Sequence, residues 1–160
     1  MKKLIYILLM VVAVSSSCKK DDETPGTAMK AMAGEWFLRY STDGGATWSS
    51  GYTHFSTYNT AANSSTEMYL DDLESFWEFK GKVTVDLNSK SFSGKDVENQ
   101  YYDSKFTVTD GKLNVKGTTA PASGTVADEL TFKVTFSDDD DELVYLFSGY
   151  KKTGFLEDEH

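Results

Sequence analysis

The chain has 160 residues, a formal net charge of −9 and a single cysteine, which suit one domain and exclude an intrachain disulfide framework. The acidic balance argues against a nucleic-acid partner, because nucleic-acid phosphates would repel the protein. Aromatic residues make up 14% of the chain, so a domain of this size has enough apolar bulk to fill a core.

Residues 1–17 have the layout of a secretory signal peptide. Two lysines precede an apolar run over residues 4–14, and three serines follow it. The run is too short to cross a bilayer as a helix, which needs about twenty residues. The small residues before Cys18 resemble a bacterial lipobox, although Ser15 stands where Leu is commonest. We therefore predict lipid attachment at Cys18; the alternatives are a buried free thiol or a stray thiol after an ordinary signal peptide.

Residues 18–30 form a charged tether in this interpretation. Their acidic run up to Glu23 resembles the export signal that sends Bacteroidetes lipoproteins to the outer face of the outer membrane. The alternative is a plain solvated linker. Because loss of residues 1–17 removes two lysines, the mature chain is still more acidic. The lipid, rather than a basic patch, would then hold the protein at a membrane.

From Gly34 onward, alternation of apolar and polar residues predicts antiparallel strands. Long strands are expected over residues 75–87 and 127–137. Asp110-Gly111 predicts a tight hairpin, since this pair accepts the positive φ angles of a type I′ turn. A last strand is expected within residues 143–150, and its apolar residues on both faces suggest that it is covered on both sides.

These patterns predict an all-β domain over residues 31–160, with about eight or nine strands. Short strands with regular turn signals are typical of sandwiches and barrels, and the two long strands favour a barrel. An eight-stranded barrel has room for its own side chains or for one small ligand. The sequence does not choose between a filled and a hollow interior.

The segment Ser41-Thr42-Asp43-Gly44-Gly45-Ala46-Thr47-Trp48 fits the Asp-box pattern of sialidases, Ser-x-Asp-x-Gly-x-Thr-Trp. The Asp43 carboxylate suits backbone N–H groups across a turn, so the segment predicts a hairpin turn. A sialidase is not indicated, because the pattern occurs once and Arg39 is the only arginine.

Gly34-Glu35-Trp36 resembles the Gly-x-Trp motif that opens the first strand of lipocalins. In that family the Trp closes the base of the barrel, and a basic residue of the last strand lies over it. Lys151 and Lys152 are the candidates for this cation–π contact. The alternative is that Trp36 is an ordinary core residue.

Two further hypotheses concern recognition and catalysis. Trp48, Tyr52, Phe55 and Tyr58 alternate with hydroxyl and amide side chains, a composition typical of recognition surfaces; they could also be half-buried in a strand pair. A Ser-His-Asp triad would have to use His54, but the chain has no Gly-x-Ser-x-Gly motif. We predict no catalytic residues, metal site or cofactor.

Five stretches together resemble one family. They are AGEWF at 33–37, YNTAANSSTEMYLDD at 58–72, FWEFKGKVTVDL at 76–87, LTFKVTFSDDD at 130–140 and SGYKKTGFLEDEH at 148–160. These stretches are similar to the Bacteroidetes lipoproteins known as lipid-binding putative hydrolases. The resemblance implies a lipocalin-like antiparallel barrel on a lipid anchor, and it supplies no catalytic residues to carry over.

We therefore expect a lipid-anchored protein of the outer membrane, facing the cell surface, whose barrel binds an apolar or amphiphilic small molecule. The alternatives are a glycan- or protein-binding surface module with a filled barrel, and an esterase-type hydrolase. The candidate pocket-lining residues are the large ones on the inferred inner faces: Trp36, Trp77, Phe79, Phe132, Phe136 and Tyr145.

Overall fold

The structure, a computed structural model, describes residues 26–160. Within this range eight antiparallel strands form a closed barrel, in which each strand pairs with the next and the last pairs with the first. The strands are β1 (Gly34–Ser41), β2 (Thr53–Asn59), β3 (Glu67–Asp71), β4 (Lys80–Asp86), β5 (Ser91–Glu98), β6 (Lys105–Thr119), β7 (Val126–Phe136) and β8 (Tyr145–Lys151). The predicted signal peptide, Cys18 and most of the charged tether lie outside the described residues.

The predicted all-β antiparallel barrel is confirmed, and β7 shows why the sequence forms it. Leu130, Phe132 and Val134 are fully buried and face the barrel interior, whereas Thr131 and Lys133 between them are only partly buried. This alternation has the period of a strand with one covered face. Because the sheet closes on itself, it leaves no unpaired edge.

The predicted hairpin at Asp110-Gly111 is wrong. Both residues lie within the continuous strand β6, where the pairing with β7 shifts register between Thr109 and Lys112. Asp110 has the positive φ that suggested a turn, at 55°, but the chain uses it for a β-bulge that bends the strand. Gly111 packs so closely on Phe92 that a Cβ atom would collide with the Phe92 carbonyl. The barrel therefore has eight strands and not nine.

The predicted long strand over residues 75–87 is also wrong in its first half. β4 begins only at Lys80, and residues 72–79 form a loop between β3 and β4. This loop, called the mouth loop below, lies at the end of the barrel that also carries the β1–β2, β5–β6 and β7–β8 connections. The opposite end, called the base, carries residues 26–33 and the chain after β8.

The barrel interior is filled by aromatic and aliphatic side chains. Phe132 stacks on Phe147 with ring centres 5.0 Å apart, and Phe55 meets Phe147 edge-on at 4.9 Å. A smaller cluster on the outer wall packs Phe37 against Tyr150 and the ring of His160. The fully buried members of the inner core are Met29, Met32, Leu38, Phe55, Met68, Leu70, Phe79, Val83, Leu130, Phe132, Val134 and Phe147.

Candidate functional site

The base of the barrel is closed around Trp36. The Trp36 indole Nε1 donates a hydrogen bond to Thr57 Oγ1 (2.9 Å), and that hydroxyl donates to the Met32 carbonyl (2.7 Å). The Lys151 ammonium lies 5.7 Å from the Trp36 ring centre and donates to the Ala33 carbonyl (3.1 Å). Together these contacts hold the turn that precedes β1 across the end of the barrel.

Lys152, the second candidate for this cation–π contact, lies elsewhere. Its ammonium is 5.6 Å from the ring centre of Phe37 on the outer wall and forms an ion pair of 2.8 Å with Glu159. Successive residues of a strand point to opposite faces of the sheet. Lys151 therefore contacts the base of the barrel, and Lys152 contacts the cluster on the outer wall.

The mouth loop closes the opposite end with two half-buried aromatic rings. Trp77 stacks on Phe136 with ring centres 4.8 Å apart and planes 8° apart. Phe76 contacts Phe147 at 5.0 Å and Tyr145 at 5.3 Å between ring centres. Both loop rings are packed against the core without being fully buried, so they form an aromatic plug between the core and solvent.

The Asp72 carboxylate makes most of the hydrogen bonds that hold the mouth loop in place. Asp72 is fully buried and accepts hydrogen bonds from the backbone N–H groups of Trp77 (2.8 Å), Phe79 (2.9 Å) and Glu74 (3.0 Å). Burial raises the pKa of Asp72 against the opposing effect of these amides. The loop also contains non-glycine residues with positive φ, Leu73 and Glu74 among them, a conformation that costs roughly 1 kcal/mol or more per residue.

The neighbouring carboxylate, Asp71, belongs to a different network on the outer wall. It accepts hydrogen bonds of 2.7 Å from both the Tyr58 and the Tyr101 hydroxyls, and Lys80 lies 3.5 Å away. Burial acts to raise the pKa of Asp71, but these two hydrogen bonds, a third from the Leu73 amide and the charge of Lys80 outweigh it and lower the pKa. The Lys80 ammonium also lies 5.5 Å from the ring centres of Tyr58 and Tyr69.

The Asp-box segment forms the predicted turn between β1 and β2. Asp43 accepts hydrogen bonds from the Thr47 amide (2.9 Å), the Thr47 hydroxyl (2.6 Å) and the Ser41 hydroxyl (2.7 Å). These contacts, with the Thr47 hydroxyl foremost, hold the pKa of Asp43 well below its usual range. The turn delivers Trp48 to the outer wall, where the next residue, Ser49, bonds to Tyr40 and Arg39.

A groove of about 220 Å³ lies on the outer wall beside this turn. Its lining combines aromatic rings, hydroxyl-bearing side chains, a proline, a glycine and one guanidinium. We call it the Arg39 groove. It is lined by Arg39, Trp48, Tyr52, Thr118, Thr119, Pro121, Ser148, Gly149 and Tyr150.

The four predicted surface-recognition residues do not form one surface. Trp48 and Tyr52 line the Arg39 groove. Phe55 is fully buried inside the barrel, so its assignment to a surface is wrong. It is one of the alternate residues of β2 that point into the barrel. Tyr58 is half-buried and is bound to Asp71 and Lys80 elsewhere on the wall.

Of the predicted pocket-lining residues, Trp36 lies at the base, and those at the mouth contact one another. Phe79 and Phe136 meet at 5.1 Å between ring centres, and Tyr145 contacts both Phe136 and Trp77. Phe132 lies deeper, stacked on Phe147. Five pockets among the described residues lie on the outer wall or at strand ends.

His54 is not paired with a nucleophile in the structure. Its ring packs against Phe37 at 4.6 Å, and its buried Nε2 has no hydrogen-bond partner among the described residues. Residues 26–160 also contain no cluster of three His, Cys, Asp or Glu side chains that could hold a metal ion. No helix in this range is long and apolar enough to cross a membrane.

Comparison with known proteins gives the family. A family model described as "lipid-binding putative hydrolase" matches residues 21–156. The chain belongs to this family. A lipid-binding family and a β-barrel with an apolar interior both fit a lipid-binding role.

Structural and curated comparisons add little to the family match. One solved structure, a Bacteroides ovatus protein described as of unknown function, is 14% identical with a TM-score of 0.45; the match covers 78% of this chain and 43% of that one. The chain thus spans less than half the length of that protein. No curated protein matches it significantly.

Proposed function

We propose that this member of the lipid-binding family is a lipid-anchored cell-envelope protein that takes the apolar chain of an amphiphile into the mouth of its barrel. The observation that carries the proposal is the aromatic plug. Phe76 and Trp77 cover an apolar core, yet they belong to a loop rather than to the sheet. The two rings are therefore a half-buried part of the core that can leave without breaking a strand.

The free energies are compatible with displacement of the plug by an acyl chain. Complete burial of a large apolar side chain is worth roughly 1.5–3 kcal/mol, so exposing two half-buried rings costs about 3 kcal/mol. Each methylene of an acyl chain that is buried in place of the rings contributes roughly 0.8 kcal/mol of favourable free energy. About four buried methylenes offset the loss of the plug, and longer chains bind with a net gain until the mouth is full.

The rim of the mouth selects the headgroup. Asp138 accepts hydrogen bonds from the Tyr102 hydroxyl (2.7 Å) and the Trp77 indole (3.4 Å), and Asp139 accepts one from Tyr145 (3.1 Å). These carboxylates belong to an acidic turn that extends to Glu142. Carboxylates repel an anionic headgroup, so the rim favours a zwitterionic or cationic headgroup over an anionic one.

The anchor is the second part of the proposal. The apolar run followed by small residues and Cys18 supports lipid attachment at that thiol, and the acidic run after it supports a place on the outer membrane, facing the cell surface. The tether enters the barrel at the base, so the mouth faces away from the anchored end. Cys18→Ala is expected to abolish incorporation of labelled palmitate and release the protein from the membrane fraction; protease treatment of intact cells tests the face.

The binding proposal is tested by native mass spectrometry of the full chain released from detergent micelles. The probes are lysophosphatidylcholine and lysophosphatidylglycerol of equal chain length. We expect adducts with the zwitterionic lipid, more of them in Trp77→Ala, and wild-type occupancy in Leu73→Ala, which changes an exposed residue of the same loop. Absence of adducts in all three proteins, or equal occupancy in wild type and Trp77→Ala, would contradict the proposal.

A further inference from the structure

We infer that the Arg39 groove is a second binding site, for a single sugar ring that carries a carboxylate. The groove lies on the outer wall, so this inference does not depend on entry of a lipid at the mouth. Its volume, about 220 Å³, lies below the roughly 300–1,000 Å³ of sites for drug-sized ligands. It therefore fits a ligand of one ring.

Arg39 is positioned for a ligand rather than for a partner within the chain. Its Nε donates to the Ser49 carbonyl (2.6 Å), and its guanidinium carbon lies 5.7 Å from the Tyr52 ring centre. These two contacts fix the plane of the guanidinium. Among residues 26–160, its terminal nitrogens have neither a hydrogen-bond acceptor nor a carboxylate partner.

Glu129, a carboxylate that bonds to the strand neighbour of Arg39, is already occupied. Glu129 accepts hydrogen bonds from the Ser148 hydroxyl (3.2 Å) and the Asn114 amide (2.9 Å), and Ser148 pairs directly with Arg39 across β1 and β8. No acidic residue lines the groove itself. Arg39, the only arginine of an acidic chain, thus offers two parallel N–H donors, the arrangement that suits a carboxylate.

The walls of the groove favour a sugar as the bearer of that carboxylate. The half-buried ring of Trp48 lines the groove beside Tyr52, which is stacked on His160 with ring centres 4.1 Å apart. Rigid aromatic surfaces beside hydroxyl groups are typical of recognition sites. Thr118 and Thr119 also line the groove, and a threonine hydroxyl can hydrogen-bond with the ring hydroxyls of a sugar. A sugar acid presents all three complementary features: an apolar C–H face, several hydroxyls and one carboxylate.

The test is an NMR titration of the full chain in detergent micelles with glucuronate, methyl glucoside and glucose 6-phosphate. We expect saturable shifts of the Trp48 indole and the Gly149 amide with glucuronate, at tens of millimolar or below. The neutral glycoside should bind at least tenfold more weakly, since it leaves Arg39 unpaired. Equal binding of glucuronate and the neutral glycoside, or tighter binding of the phosphate, would overturn the inference.

Variants separate a ligand-binding role of Arg39 from a structural one. Arg39→Gln is expected to weaken glucuronate binding at least tenfold, and Arg39→Lys to restore only part of it, because an ammonium lacks the two parallel donors. Lys133→Gln, an outward-facing cation paired with Asp110 away from the groove, is the control and should bind normally. Trp48→Ala keeps Arg39 and should also lose binding; unchanged affinity in Trp48→Ala or Arg39→Gln would overturn the inference.

Discussion

Trp77 lies flat on Phe136, with ring centres 4.8 Å apart and ring planes 8° apart. Phe136 is the last residue of β7, whereas Trp77 belongs to the mouth loop. A loop residue therefore helps to complete a core that the sheet mostly builds. The opposite end of the barrel is closed by a hydrogen-bonded base, so the two ends differ in how easily they open.

Removal of the plug should cost little stability and promote binding. Because Trp77 is only half-buried, we expect Trp77→Ala to lower the free energy of unfolding by roughly 1–2 kcal/mol, less than the 3–5 kcal/mol of a fully buried Trp. Urea denaturation measures the loss, and Leu73→Ala is the matched control. A loss as large as that of a core tryptophan would show that Trp77 is an integral part of the core and not a displaceable plug.

Binding at the mouth should depend on chain length. Chains that bury fewer than about four methylenes do not compensate for exposure of Phe76 and Trp77. We therefore expect a threshold in a series of lysophosphatidylcholines, followed by tighter binding with each added methylene until the mouth is filled. Affinities from native mass spectrometry check this. Affinity that is independent of chain length would indicate contact with the headgroup alone.

The two adjacent carboxylates should respond to pH in opposite directions. The pKa of Asp71 is lowered in the fold, so its stabilising contribution is present above about pH 4, the unfolded value, and is lost as pH falls through the folded value. The pKa of Asp72 is raised, so the stability linked to it decreases as pH rises from about 4 through the folded value.

Paired variants test this contrast by urea denaturation between neutral and acidic pH. The difference in unfolding free energy between wild type and Asp71→Asn should shrink as pH falls. The difference between wild type and Asp72→Asn should grow over the same interval. If both differences changed in the same direction, the assignment of the two networks would be wrong.

Gly149 tests the closure of the barrel between β1 and β8. A Cβ atom at this position would collide with the Phe37 carbonyl on the neighbouring strand. We expect Gly149→Ala to destabilise the protein by roughly 1–3 kcal/mol or more through strand displacement. Gly51→Ala is the control, because nothing lies within 4 Å of its added Cβ, and it should leave the midpoint of urea unfolding almost unchanged.

The sequence predicts this fold well where one face of a strand is buried and the other is not. β7 was expected over 127–137 and spans Val126–Phe136, because Leu130, Phe132 and Val134 alternate with polar residues. Of the two positive φ angles implied by Asp110-Gly111, only that of Asp110 is present, and local sequence does not say whether such a residue ends a strand or bends it. That choice depends on the partner strand.

The candidate sites were less predictable because they depend on contacts distant in sequence. Alternation alone placed Trp77 on a strand, whereas hydrogen bonds from the loop amides to Asp72 end the alternation there. An Asx-type turn after Asp72 was the available signal. The groove brings Trp48 next to Thr118, and only closure of the barrel joins those segments. Cys18 and its lipid lie outside the described residues and stay predictions.

The most direct test of the account is to locate the bound chain. A lysophosphatidylcholine with a diazirine near the end of its chain would be photo-crosslinked to the full-length protein in intact cells, and the labelled peptides mapped by mass spectrometry. The account predicts labels at the mouth, on peptides that contain Phe136 and Tyr145–Phe147, with more label in Trp77→Ala. Labels confined to the tether or to the outer wall, and unchanged in that variant, would contradict it.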